Sequence, residues 1–199
     1  MTKKGNNIIG ILFIVLVVCI LVGFFVISMI NNRDTDTVGY FNKDDKIISE
    51  GIYEKVMSIN EENYPITPEE VVTLYTEGYK LLYGDKIKDT SIVPNILEKQ
   101  RILLSDEILG NNPIEEQEQN VLSSMENIKS NKVRLTSVDI KPAMYDPKDS
   151  NIAYVKVDTK DNLFQTYYYL YYLERQQDEK WKITGWYNTD ENYNIIEQE

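Results

Sequence analysis

The chain has 199 residues, no histidine, a single cysteine and a formal net charge of −11. The absence of histidine excludes Ser-His-Asp and Cys-His nucleophile systems and removes the commonest metal ligand, and a lone cysteine excludes an internal disulfide. Two of the 21 basic residues and none of the 32 acidic residues lie within residues 1–30, so the remainder carries a formal charge of −13 and repels nucleic acid. We therefore expect no metal site, no cofactor and no nucleic-acid partner.

An apolar run near the start predicts a membrane anchor. Residues 8–30 form a run of 23 residues without a charge, and as a helix they would reach about 34 Å, more than the roughly 30 Å of bilayer hydrocarbon. The run is too long for the core of a cleaved signal peptide, so an uncleaved transmembrane helix is favoured. Lys3 and Lys4 before the run, and Asp34 and Asp36 after it, favour a cytoplasmic N-terminus with the rest of the chain outside the cell membrane.

These features predict five segments: a cytoplasmic tail at residues 1–7, a single-pass transmembrane helix at 8–30, a polar stalk at 31–60, an extracytoplasmic folded domain at 61–187, and an acidic, loose tail at 188–199. Within the stalk, Ile48, Ile52, Val56 and Ile59 recur at helical spacing, which indicates a short helix over residues 46–60.

Three helices are predicted at the start of the folded domain. Thr67 is an N-cap, Pro68 takes the first helical position and Glu70 completes a capping box, so the first helix begins there and ends near Gly84. The second is predicted over residues 91–109, and the third begins at Pro113 after a cap at Asn112. Their apolar stripes, which include Val72, Tyr75, Tyr79 and Leu82 in the first helix, predict one buried face on each.

From residue 132 the hydrophobic period changes to two. Residues 132–145, 151–159, 163–175 and 179–187 are rich in β-branched and aromatic residues and are separated by short turn-forming clusters. Short connections of this kind favour an antiparallel sheet. Helices followed by such a sheet predict an α+β domain, with the helices packed on one face.

Three sequence blocks carry a resemblance to known proteins: YP-x-TP-x-EVV-x-LY at residues 64–75, SDEIL-x-NNP at 105–113 and KWKITGW at 180–186. Together with the N-terminal run they resemble an uncharacterised family of membrane-anchored proteins of Gram-positive bacteria. Helices followed by a sheet that ends in WKITGW resemble the cystatin-like cone of the nuclear transport factor 2-like superfamily. The resemblance implies about three helices on a curved four-stranded antiparallel sheet, and it carries over no catalytic residue.

Alternation along residues 163–175 divides the tyrosines between two faces of the sheet. We expect Leu173 to lie opposite Trp181 and Tyr171 opposite Ile183, because this register pairs apolar residues with one another. The face covered by the helices then holds Tyr169, Tyr171, Leu173, Trp181 and Ile183. The other face holds Phe164, Tyr168, Leu170 and Tyr172, a patch that is either a protein interface or packed under the stalk or tail. If this register is wrong, Tyr167, Tyr169 and Tyr171 take the interface role instead.

Two interpretations of the buried tyrosines remain open. They form a core of amphipathic aromatic side chains, or they line a pocket for which Tyr75, Tyr79, Tyr171 and Trp181 are the candidates. A pocket would permit the binding of a small molecule, or a lyase or isomerase reaction that uses tyrosine donors and a carboxylate base such as Asp106.

No pattern of residues in the sequence indicates a catalytic site. The leading hypothesis is therefore a non-catalytic, membrane-tethered domain of the cell envelope that binds another protein or itself. A role as a subunit of a conjugation or secretion machine is a further hypothesis, which rests on architectural analogy.

Overall fold

A computed structural model describes the backbone of residues 44–196 and the side chains of residues 51–196. Within this range the chain forms an α+β domain with helices at one face of a sheet. The helices are α1 (Asp44–Met57), α2 (Pro68–Tyr83), α3 (Val93–Arg101), α4 (Asp106–Asn111) and α5 (Ile114–Asn131), with a 3-10 turn at Thr90–Ile92 before α3. The strands are β1 (Leu135–Ile140), β2 (Met144–Tyr145), β3 (Ile152–Asp161), β4 (Thr166–Arg175) and β5 (Trp181–Thr189).

The five strands form one antiparallel sheet in the order β1-β3-β4-β5, and β2 continues the β1 edge along β3. Helix α2 lies across the sheet and contacts β1, β3 and β5. The core between them contains Val72 and Tyr75 of α2 and Val155 and Val157 of β3, all buried. Apolar burial on this side of the sheet is the main source of stability, since no disulfide can contribute.

The predicted architecture needs correction. Residues 44–196 contain five helices and five strands, whereas a short stalk helix, three helices of the folded domain and four strands were predicted for this range. The prediction also included a single-pass transmembrane helix; among residues 44–196 no helix is long and apolar enough to cross a membrane. The predicted helix at residues 8–30 lies outside the described residues.

The capping prediction for the first domain helix is confirmed. Thr67 Oγ1 accepts a hydrogen bond from the Glu70 backbone N–H at 3.2 Å, and Glu70 Oε2 accepts one from the Thr67 N–H at 3.1 Å. The predicted cap of the third helix is wrong. Pro113 precedes the first helical residue without a side-chain cap, while Asn112 closes the preceding helix through Nδ2 and the Ile108 carbonyl at 2.8 Å.

Helix α1 accounts for the helical spacing within the predicted stalk. Val56 and, just after the helix, Ile59 are fully buried in the domain core, and Lys99 Nζ of α3 donates to the Ile59 carbonyl at 2.9 Å. These contacts pack the end of α1 and the following turn against the rest of the domain.

The single helix predicted over residues 91–109 is two helices, α3 and α4, separated by a turn at residues 102–103 and a β-bridge at Leu104. In that segment the Leu103 carbonyl accepts from the Ile183 N–H, and the Ser105 N–H donates to the Ile183 carbonyl, both at 2.9 Å. The segment therefore pairs with the free edge of β5, and Ser105 then caps α4. Apolar spacing did not reveal the break, because Leu103 and Leu104 are buried between the two helices as well.

The first predicted strand, residues 132–145, is two strands because Pro142 interrupts it. Lys141 N–H still donates to the Lys156 carbonyl at 2.9 Å, but proline has no N–H to continue the ladder. The next N–H, that of Ala143, donates instead to Glu69 Oε1 in the first turn of α2 at 2.7 Å. This bond connects the edge of the sheet to the start of the helix.

The residues predicted on the helix-covered face do lie there, but the register from which this was predicted is wrong. Tyr171, Leu173, Trp181 and Ile183 are buried and Tyr169 packs against the core. Leu173 pairs with Ile183, not with Trp181, and Tyr171 pairs with Trp186. A β-bulge between these pairs inserts Thr184 as an extra residue, so Trp186 turns toward the helices and Tyr187 away from them.

This bulge generates a prediction for two neighbouring residues. We expect Trp186→Ala to lower the free energy of unfolding by about 3–5 kcal/mol, because it empties a buried site. Tyr187→Ala should cost less than about 1.5 kcal/mol, because its ring lies on the face without helices. Urea unfolding followed by circular dichroism measures both. Equal losses, or a larger loss for Tyr187→Ala, would contradict the bulged register.

Candidate functional site

The structure brings together three of the four predicted pocket residues. The Tyr75 ring centroid lies 5.2 Å from that of Tyr79 and 6.1 Å from that of Tyr171. Trp181 lies apart from this cluster, where its ring packs edge-on against Tyr145 at 5.9 Å and its carbonyl accepts from the Tyr64 hydroxyl at 2.7 Å.

Trp186 occupies the place predicted for Trp181. Its ring centroid is 5.9 Å from that of Tyr75 and 6.0 Å from that of Tyr171. Side chains of the domain thus surround Tyr75 on several sides. Burial raises the pKa of the Tyr75, Tyr79 and Tyr171 phenols above the ordinary value. The predicted base, Asp106, is exposed in the first turn of α4 and is not among these tyrosines. This arrangement is that of a packed aromatic core.

A surface groove of about 490 Å³ lies where α1, α2 and the loop between them meet. Its lining combines Lys55 and Glu70 with Tyr64, Ile66 and Leu74. Ile66 is 80 % exposed, so the groove is shallow and open, and none of the residues predicted as site candidates contributes to it.

The face of the sheet without helices, called here the outer face, carries the other tyrosines. Strand pairing sets Tyr154 beside Tyr172, Lys156 beside Leu170, and Leu170 beside Tyr187. Asp158 and Tyr168 form the next pair along β3 and β4. We define the outer face by these residues: Tyr154, Lys156, Asp158, Tyr168, Leu170, Tyr172 and Tyr187.

Contacts between tyrosines hold the middle of the outer face in one arrangement. The Tyr154 and Tyr172 rings meet edge-on with centroids 4.5 Å apart, and their hydroxyl oxygens are 2.7 Å apart. The Tyr154 hydroxyl also lies 3.4 Å from Asp146 Oδ2, and the Tyr187 ring lies edge-on to Tyr172 at 6.5 Å. The hydrogen bond with Tyr172, followed by burial, raises the pKa of the Tyr154 phenol.

Phe164, the fourth predicted interface residue, lies in the turn between β3 and β4 and not on a strand. It is 91 % exposed and has a φ of 65°, in the left-handed region. The buried carboxylate of Asp161 holds this turn by accepting from the backbone N–H groups of Leu163 at 2.8 Å and Gln165 at 2.9 Å. Phe164 therefore projects from a well-braced turn at the end of the sheet.

The segment after β5 returns onto the outer face. Asp190 organises a turn by accepting from the backbone N–H groups of Asn192 and Asn194, and Ile196 N–H then donates to the Asn188 carbonyl at 3.1 Å. The Tyr193 ring lies edge-on to Tyr168 at 5.8 Å. Up to residue 196 the predicted loose tail is folded, and it covers the Tyr168 end of the outer face.

The family described as Domain of unknown function (DUF6715) matches residues 1–186. The chain belongs to this family. The match includes the apolar run at residues 8–30 and continues to Trp186 in β5. No curated protein matches the chain. Family membership assigns no role to individual residues, and the resemblance to the nuclear transport factor 2-like superfamily stays a prediction.

Sequence reasoning missed several residues of the outer face. The alternation of Tyr154, Lys156 and Asp158 with the buried Val155 and Val157 was present in the sequence and could have placed the first three on this face. The contribution of Tyr193 had no local signal, because it depends on the return of the chain after β5.

An alkaline titration tests whether the interior is filled. The folded state holds the phenolic protons more tightly than the unfolded chain, whose tyrosine pKa is near 10; burial raises the pKa of Tyr169, for example, to about 12. Their stabilising contribution is therefore complete below pH 10 and is lost as the pH rises toward 12, at up to about 1.4 kcal/mol per pH unit for each group.

We expect ultraviolet absorbance to show these phenols ionising together with unfolding in circular dichroism. Tyr169→Phe should make stability less steeply dependent on pH in this range. Ionisation of the Tyr75 cluster near pH 10 in a folded chain would contradict a filled core and would indicate a pocket open to solvent.

Proposed function

We propose that this domain is a non-catalytic module that binds another protein through its outer face. The observation that carries the proposal is a helix-free sheet face on which Tyr154, Tyr172 and Tyr187 surround Leu170. Tyrosine is enriched in the cores of protein interfaces, because it combines a large apolar ring with a hydroxyl that can find a partner.

The side chains of this face are already held in fixed positions, which favours binding. Tyr154 and Tyr172 are held by their hydroxyl contact and by ring packing, so an incoming protein need not order them. Immobilising a flexible interface side chain costs roughly 0.5–1.5 kcal/mol, and a pre-arranged surface avoids much of this cost.

Charged residues lie along the β1 side of the same face. Lys141 Nζ lies 3.1 Å from Asp158 Oδ2 and also pairs with Asp139. Hydrogen bonds with these two carboxylates raise the pKa of the Lys141 ammonium. An aromatic centre with a charged border is the usual composition of a protein interface. The border favours a partner whose charges complement both signs.

The alternative of a lyase or isomerase receives no support from the described residues. Its candidate tyrosines pack against one another and Trp186, and its candidate base Asp106 is exposed elsewhere. A place in a conjugation or secretion machine stays a prediction from architectural analogy.

The location that we propose for this module is the outer side of the cell membrane. The support comes from the sequence alone: the uncharged run at residues 8–30, with Lys3 and Lys4 before it and acidic residues after it. Confinement near one surface raises the effective concentration of a binding module and allows a weak contact to persist.

Photo-crosslinking in cells tests the binding face. A photoreactive residue in place of Leu170, on the outer face, should capture one defined protein, whereas the same residue in place of the core-facing Tyr169 should capture none. Tyr154→Ser should reduce capture from position 170 about tenfold, since truncating a central interface tyrosine commonly costs more than about 1 kcal/mol.

Tyr145→Ser is the matched control. Tyr145 is an exposed tyrosine of the same sheet but does not belong to the outer face, so this change should leave capture unchanged. Capture of a second copy of the chain would identify self-association as the binding event. Equal capture from 169 and 170, or no capture from 170 by a chain that stays monomeric, would contradict the proposal.

Protease accessibility tests the location. Protease added to intact cells should digest the folded domain, because we place it outside the membrane, while a cytoplasmic control protein survives. Protection of the domain in intact cells, with digestion only after lysis, would contradict the proposed location and leave the binding face to be judged by crosslinking.

A further inference from the structure

We infer that Lys156, Asp158 and Tyr168 on the outer face form a subsite for the side chain of an unmodified tyrosine. The protein partner supplies this tyrosine when it binds. In the isolated chain its own Tyr193 fills this subsite. The inference rests on the proposed function, and it adds the chemistry of the group that is recognised.

The geometry around Tyr193 is that of a bound phenol. Lys156 Nζ lies 4.4 Å from the centroid of the Tyr193 ring, within the range of a cation–π contact. The ring of Tyr168 meets it edge-on at 5.8 Å. The Tyr193 hydroxyl donates to Asp158 Oδ1. The Tyr193 ring thus contacts Lys156 and Tyr168, and its hydroxyl contacts Asp158, so three different side chains of β3 and β4 hold it.

The segment that delivers Tyr193 gains little burial from its neighbours. Ile195 and Ile196 are 51 % and 52 % exposed, and Tyr193 itself has a φ of 63°, a conformation that is unfavourable for a residue other than glycine. The contacts of the tyrosine ring therefore offset the strain of the turn. A tyrosine on a partner could make the same contacts without adopting this backbone conformation.

The subsite should distinguish tyrosine from similar side chains. Phenylalanine lacks the hydroxyl and would leave the Asp158 carboxylate without that donor. Phosphotyrosine would bring negative charge against Asp158, whose nearest cation, Lys141, is already shared with Asp139. The chemistry accordingly selects an unmodified tyrosine.

The tail that carries Tyr193 competes with any such partner. Because it belongs to the same chain, its effective concentration at the subsite is high, and a partner tyrosine must displace it. Removing the Tyr193 side chain should therefore strengthen binding in trans, whereas removing Lys156 or Asp158 should weaken it.

A peptide-binding experiment on the full chain tests this inference. The probe is a labelled peptide with the sequence of residues 188–196, NTDENYNII, and its affinity is measured by fluorescence anisotropy. We expect it to bind the Tyr193→Ala chain at least about tenfold more tightly than the unchanged chain, with NMR shifts centred on Lys156 and Tyr168. The corresponding peptides with phenylalanine or phosphotyrosine should bind at least about tenfold more weakly, as expected for loss of a hydrogen bond to a charged group.

Adding Lys156→Ala or Asp158→Ala to the Tyr193→Ala chain should abolish the increase in peptide affinity. Adding Lys160→Ala, on the same strand but outside the subsite, should leave that increase unchanged. Circular dichroism confirms that each variant is folded. Absence of binding to the Tyr193→Ala chain, or equal binding of the tyrosine and phenylalanine peptides, would overturn the subsite. If the peptide failed to bind but position 170 still captured a protein in cells, the proposed function would stand without the tyrosine subsite. Failure of both the peptide binding and the capture would contradict both the subsite and the proposed function.

Discussion

One extra residue in β5 organises the two faces of this domain. Strict alternation from Trp181 and Ile183 would direct the next aromatic residue, Trp186, away from the helices and Tyr187 toward them. The extra residue at the bulge, Thr184, reverses the alternation in the rest of β5, so Trp186 enters the core beside Tyr75 and Tyr171. The same reversal places Tyr187 next to Leu170 and Tyr172. The packed interior and the aromatic outer face therefore depend on the same local irregularity.

The domain uses tyrosine in two different physical settings. Beneath α2, tyrosine rings pack on one another and on Trp186, and burial raises the pKa of their phenols. On the outer face, Tyr154 and Tyr172 share a hydroxyl contact at a surface that meets solvent. In the first setting the rings supply volume to a core without disulfides. In the second they present an ordered apolar surface, and it is this setting that supports a role in binding.

The edge of β5 is partly occupied by the chain itself. Residues 103–105 pair with Ile183 near its beginning, and residues 195–196 pair with residues 188–189 near its end. Occupied edges reduce the risk that the sheet recruits another strand. A partner that adds a strand at these positions would have to displace local backbone bonds, whereas a partner that docks at the Tyr168 end of the outer face would have to displace Tyr193. The tail thus connects the architecture of the sheet to the proposed recognition of tyrosine.

Local signals in the sequence were sufficient for the elements whose cause is local. The capping box at Thr67 and Glu70 and the period of two in β3 and β4 each depend on residues within a few positions of one another. Tertiary structure decided the rest. The break before Ser105 depends on an edge of β5 nearly 80 residues away along the chain, the inward turn of Trp186 depends on pairing across the bulge, and the seat of Tyr193 depends on the chain folding back on the sheet. Periodicity reports which side chains avoid water, but it does not report which backbone or ring each of them meets, because those partners come from distant parts of the chain.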